Sequence, residues 1–222
     1  RGYTFNDDTN NNKRPAVLIS HAWGGQGEFD VMKARSLAEL GYIGFAIDLY
    51  GKGIRGTTPE ENAKLMQPLL EDRNLLQSRL LASVETLRTI PEVAPDYIAA
   101  MGFCFGGLCV LDLARTGEDI RGVISLHGLF IPTGSTESKN IKAKVLAIHG
   151  NEDPMVPAEA VQALAKELTA AGADWQIHVY GNTQHAFTNP QANDHDRGTV
   201  YNADADRRSW LACLNFLDEI FK

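Results

Sequence analysis

One short segment limits this chain more than any other: Gly102-Phe103-Cys104-Phe105-Gly106-Gly107, set between the apolar run Tyr97–Gly102 and the helical segment Phe105–Arg115. A strand that turns straight into a helix around a single residue forces that residue into a strained backbone angle. Glycines on both sides remove the Cβ atoms that would collide where strand and helix pack closest. The rest of the chain should then alternate strands with helices, and it does. Ala16–Ser20, Ile43–Ile47, Tyr97–Gly102, Val123–Leu126, Val145–His149 and Trp175–Tyr180 have the length and apolar character of strands. Helical segments lie between and after them: Phe29–Leu40, Pro59–Met66, Leu69–Thr89, Phe105–Arg115, Pro157–Ala171 and Tyr201–Phe221. Gly41 and Gly172 supply stop signals. Near-continuous apolar strands joined by helices predict an α/β fold, a mostly parallel sheet with helices on both faces. An edge strand near Tyr3–Phe5 and a polar turn over Asn6–Arg14 should precede the first core strand. No linker or repeat interrupts the pattern, so 1–222 reads as one domain.

Functional groups in such a sheet are expected at the carboxyl ends of the strands. Cys104 stands there, at the start of a helix whose positive end should lower the thiol pKa. After the strand Val145–His149 comes Gly150-Asn151-Glu152-Asp153-Pro154. Asp153 is favoured over Glu152 as the functional acid because Pro154 restrains its chain direction. After Trp175–Tyr180 comes Gly181-Asn182-Thr183-Gln184-His185-Ala186-Phe187. Nucleophile, acid and histidine, each after a successive strand, follow the chain order of an α/β-hydrolase triad. Asp153 would orient His185, and His185 would take the Cys104 proton or stabilise its thiolate. Backbone N–H groups of Phe105 and Trp23 are the expected oxyanion donors. Phe187, Leu129 and Phe130 are candidate walls of a substrate pocket. Of the other histidines, His21, His127 and His149 also follow strands and are read as local packing or hydrogen-bonding groups. Pairing of Cys104 with Cys109 for redox work is disfavoured, since residues five apart on a helix point to different sides.

Composition narrows the partners. A formal net charge of −7 over 222 residues argues against nucleic acid or an anionic membrane surface. No apolar run approaches the length of a membrane span. The three cysteines, Cys104, Cys109 and Cys213, suggest no disulfide framework, and no Cys or His pair has metal-ligand spacing, so no metal is expected. The expected partner is a small-molecule ester or lactone, and the chain is read as a monomer or homodimer. Cytoplasm is the expected compartment, with a removed leader left open by Arg1 in the first position.

Five segments, HAWGG at His21–Gly25, DLYG at Asp48–Gly51, GFCFGG at Gly102–Gly107, HGNEDPMVP at His149–Pro157 and QHAF at Gln184–Phe187, resemble the dienelactone hydrolase family, the cysteine branch of the α/β-hydrolases. The resemblance runs from about Pro15 to the C-terminus. It implies a Cys-His-Asp triad, no metal or cofactor, and hydrolysis of enol lactones or related esters through an acyl-thioester on Cys104. Two positions depart from it. Ala22 stands where the family carries a glutamate that engages the resting cysteine, and Asn189 where it carries an arginine that clamps a substrate carboxylate. A neutral or apolar ester is therefore expected over an anionic dienelactone. Arg55, Arg73 and Arg79 are read as solvated charges that do not restore the clamp. Activated phosphotriesters are an expected side substrate, because they need the same nucleophile and oxyanion support. The competing expectation is a hydrolase-fold protein that binds without catalysis.

Overall fold

A computed structural model describes residues 3–5, 13–134 and 141–222. Among them, seven strands form one sheet in the order β1-β3-β2-β4-β5-β6-β7. The strands are β1 (Tyr3–Phe5), β2 (Arg14–Ser20), β3 (Ile43–Ala46), β4 (Val93–Phe103), β5 (Gly122–Leu126), β6 (Lys144–Gly150) and β7 (Trp175–Tyr180). The edge strand β1 pairs antiparallel with β3, and every other neighbouring pair is parallel. Most of the polar turn expected after Phe5 lies outside the described residues, and Arg14 already belongs to β2.

Strand periodicity divides the core into two layers. Leu18, Phe45, Ala100, Val123, Val145 and Ala147 face one side, while Val17, Ile19, Met101, Phe103, Ile124, Leu146 and Ile148 face the other. The first side is covered by α3 (Arg73–Arg88), α4 (Phe105–Arg115) and α5 (Ala158–Ala170), with Leu69 of α2 (Pro59–Glu71). The second is covered by α1 (Glu28–Glu39) and α6 (Ala203–Ile220). Along α3, Leu76, Leu80, Val84 and Leu87 form a fully buried stripe at helical spacing. Each contributes about 1.5–3 kcal/mol of hydrophobic stabilisation.

The elements differ from the sequence expectation in several places, of which two stand out. The break between α2 and α3 falls at Asp72, not between Met66 and Leu69. Pro68 is tolerated inside α2, and Asp72 Oδ1 accepts the Leu75 N–H at 2.9 Å to start the next helix. A small hairpin of β8 (Asn193–Asp194) and β9 (Thr199–Val200) was not expected.

The strand order reverses direction between β2 and β4. From β2 the chain moves outward to β3, then returns to the other side of β2 and continues through β4 to β7. The carboxyl ends of β2 and β4 therefore flank a switch-point crevice, where open α/β sheets hold their ligands. His21–Gly25 and Cys104 both lie at that edge.

Candidate active site

Cys104 is the N-cap of α4, with φ 56° and ψ −116°. Such a backbone is costly for a side-chain-bearing residue and persists only where its surroundings hold it. Close packing does so here. A Cβ on Gly106 would overlap the Ser20 carbonyl, so only glycine lets α4 sit this near the end of β2. The Cys104 N–H is shared between the Leu126 carbonyl and His127 Nδ1, each at 3.1 Å. The thiol keeps partial access to solvent, whereas Cys109 and Cys213 are fully buried. Burial pushes the Cys109 thiol well above its ordinary pKa.

The Phe105 amide is in the first turn of α4, where a helix leaves its N–H groups without intrahelical acceptors. Its ring is buried against Tyr50 and His21. The turn bearing Trp23 is held from both sides. Gly25 donates to the Ala22 carbonyl at 3.1 Å, and the Tyr50 hydroxyl donates to the Trp23 carbonyl at 3.0 Å. His21 links that turn to the next strand end: its Nδ1 meets the Ala22 carbonyl at 2.7 Å and its Nε2 accepts the Leu49 N–H at 3.1 Å. The Phe105 and Trp23 segments thus meet at the crevice.

Asp153 is buried and Glu152 is exposed, which separates the two acids. Asp153 Oδ1 accepts the Met155 N–H at 2.8 Å, and Oδ2 pairs with His185 Nδ1 at 2.7 Å. The histidine loop reaches β6 because Gly150 has no Cβ to strike the Thr183 and Gln184 carbonyls. On its other side, His185 donates its N–H to Gly198 and accepts from Val200, at 2.9 and 3.0 Å. His185 Nε2 is buried and interacts with the Cys104 sulfur without an aligned hydrogen bond to it. Burial opposes protonation of His185. The charge of Cys104 and the hydrogen bond to Asp153 outweigh it and raise the imidazole pKa to about 10.

Not every expected wall residue faces this crevice. Phe187 is completely buried, packed edge-on against His127 and Tyr180, so it supports the site from the core and is not a wall. Phe130 is also buried and borders a separate cavity of 610 Å³ between α3, α4 and α5, with its ring against His149. Leu129 retains exposed surface. Arg73 is not a solvated charge: it grips the buried Asp112 through Nε and Nη2, both at 2.5 Å. Arg79 donates to the Leu49 carbonyl, while Arg55 is exposed and lies over Gly27. Asn189 Oδ1 accepts the Gln191 N–H at 3.0 Å within its own loop. Sequence reasoning read His127 as a local packing or hydrogen-bonding group and did not single out the Cys104 amide as its partner. A histidine directly at the end of the strand after the elbow was the available signal.

A family model described as the dienelactone hydrolase family matches residues 1–221. The chain belongs to the dienelactone hydrolase family. A putative carboxymethylenebutenolidase of Aquifex aeolicus is 30% identical over 213 residues, covering 94% of this chain and 89% of that protein. Among solved structures, a dienelactone hydrolase-like promiscuous phosphotriesterase from metagenomic libraries superposes with a TM-score of 0.94. It is 33% identical and is matched over all of this chain and 92% of its own. A putative dienelactone hydrolase from Klebsiella pneumoniae, 20% identical with a TM-score of 0.75 over 98% of this chain and 92% of its own, shares the fold. The architecture is thus the α/β-hydrolase fold of the dienelactone hydrolases. No described helix is long and apolar enough to cross a membrane.

Proposed function

We propose that this dienelactone hydrolase family member hydrolyses neutral carboxylic esters or lactones, with Cys104 as nucleophile. The observation that carries this reading is the strained Cys104 turn at a helix N-terminus, facing a histidine that is hydrogen-bonded to a buried aspartate. The relatives' names, a putative carboxymethylenebutenolidase and a probable lactonase, support lactone hydrolysis as the reaction class, although the substrates they name carry a carboxylate.

The Cys104 thiolate, paired with protonated His185, attacks the acyl carbon. Charge develops on the carbonyl oxygen, which the Phe105 and Trp23 amides receive. One such donor is worth roughly 3–4 kcal/mol of barrier. Collapse expels the alkoxide, which takes the proton from His185 Nε2 and leaves a Cys104 thioester. Neutral His185 then deprotonates water, which attacks the thioester and releases the acid. The thiolate and imidazolium are restored. Asp153 holds the ring so that Nε2 faces the sulfur throughout. Ala22 offers no carboxylate to engage the thiol, and Asn189 caps its own loop, which supports a neutral substrate and a nucleophile that depends on His185.

The deciding experiment is the initial rate with a short p-nitrophenyl ester, for the wild type and Cys104→Ala, under reducing conditions. Turnover by the wild type with near-background rates for the variant supports the reading. Equal rates for the two proteins refute it, and equally slow ones favour a narrow enzyme or a hydrolase-fold binding protein. A second substrate class is favoured by the phosphotriesterase neighbour. A triester with a good leaving group should phosphorylate Cys104, and no turnover or labelling would dismiss it.

A further inference from the structure

His127 occupies an unusual place for a side chain outside the Cys104–His185–Asp153 set. It directly follows β5 with φ 37°, a left-handed backbone, and its own N–H is held by the Ile148 carbonyl at 2.8 Å. The residue is 2% exposed, and its ring makes two polar contacts in opposite directions. Nδ1 accepts the Cys104 N–H at 3.1 Å, and Nε2 meets Thr188 Oγ1 at 2.8 Å. An amide N–H can only donate, so Nδ1 must be bare and the proton must sit on Nε2, where Thr188 accepts it. The His127 ring also lies edge-on to His185, with centroids 5.2 Å apart. Thr188 is buried and follows His185 by three residues in the same loop. One imidazole therefore spans the two segments that the reaction must keep in register, the cysteine turn and the histidine loop.

We infer that His127 is a positioning residue of the hydrolytic site, a permanently neutral strut that fixes the Cys104 peptide and the His185 loop relative to each other. This rests on the function proposed above. A proton on Nδ1 would face the Cys104 N–H and eject it, and a charged ring would repel protonated His185. Burial and the charge of His185 both keep the ring pKa well below its ordinary value.

Two substitutions separate positioning from bulk. Asparagine tolerates a left-handed backbone and can place its oxygen near the Nδ1 site, so His127→Asn keeps an acceptor for the Cys104 amide. His127→Leu keeps much of the volume, leaves the Cys104 N–H only the Leu126 carbonyl and breaks the link to Thr188. A displacement on the order of 1 Å at a reacting atom costs about 100-fold in rate. The expectation is a kcat lowered by about 30- to 100-fold in His127→Leu with KM within about 3-fold, and partial rescue in His127→Asn. Nitrogen-15 spectra of the wild type should show His127 as the Nε2–H tautomer from about pH 5 to 9, while an ordinary histidine titrates in that range. Equal kcat in wild type and His127→Leu overturns the inference, as does titration of His127 within that window. Should His127→Leu fail to fold, the tautomer measurement and His127→Asn still decide: a charged His127 in the wild type refutes the strut. The Cys104→Ala control separates the two claims, since an active Cys104→Ala refutes the proposed function, and an inactive one beside a normal His127→Leu refutes only the strut.

Discussion

Replacing Asp153 with asparagine should damage the site far more than the loss of one charge suggests. The two carboxylate oxygens have different partners: Oδ1 accepts the Met155 N–H at 2.8 Å and Oδ2 holds His185 Nδ1 at 2.7 Å. An asparagine must keep its oxygen on Met155, because an amide N–H cannot face another N–H. Its NH₂ group then points at His185 Nδ1 and demands a bare nitrogen there, which moves the imidazole proton to Nε2. The ring can no longer take a proton from the thiol or from water. Loss of a charge-assisted hydrogen bond to a buried group removes about 1.5–3 kcal/mol, roughly 10- to 150-fold in rate. The trapped tautomer extends the expected loss toward about 10,000-fold. Stopped-flow release of p-nitrophenol reads acylation directly, and circular dichroism checks that Asp153→Asn is folded. The alkaline limb of the acylation rate should also move. In the wild type the imidazolium persists up to about pH 10, and without the aspartate it should be lost at lower pH. A folded Asp153→Asn that acylates within about 3-fold of the wild type would refute both the tautomer argument and the role of Asp153.

Three further outcomes follow from the packing and the charges. Gly106→Ala drives a methyl group into the Ser20 carbonyl, so α4 must lift from β2; a loss of about 3 kcal/mol in urea denaturation is expected, together with loss of activity. An unchanged midpoint would show that α4 is free to shift. Asp112→Ala removes the buried carboxylate that binds Arg73 and Arg115 and should cost about 3–5 kcal/mol by the same measurement, with a cost below about 1 kcal/mol contradicting the buried-pair account. The raised pKa of His185 makes stability depend on pH. Its contribution is fully present below the unfolded value near 6.5 and is lost as pH rises through about 10. The wild type should therefore weaken relative to His185→Gln across that window, and parallel stability curves would contradict the shift.

Much of this molecule was legible without coordinates, and the legible parts share a cause. Strand and helix periodicity, the glycines of the Cys104 turn, and acid and histidine in successive loops are short-range features, set by backbone sterics and side-chain alternation. They placed Cys104, Asp153 and His185 at strand ends, and the structure brings all three to one edge of the sheet. What the residues alone left open depends on which elements become neighbours. Asp153 is preferred to Glu152 in the sequence for the proline that follows it, and the fold adds the burial of Asp153 against the His185 loop, which Gly150 lets approach. Phe187 belongs to the core because the chain behind His185 folds under His127 and Tyr180. Arg73 is structural because α3 packs on α4, where Asp112 is fully buried and takes Arg73 and Arg115 as its partners. His127 meets the Cys104 amide because β5 hydrogen-bonds to β4, an adjacency decided by the order of strands in the sheet. Local sequence determines which residues reach the ends of strands. The tertiary fold determines which of those ends stand side by side, because pairing and burial act between segments far apart in the chain.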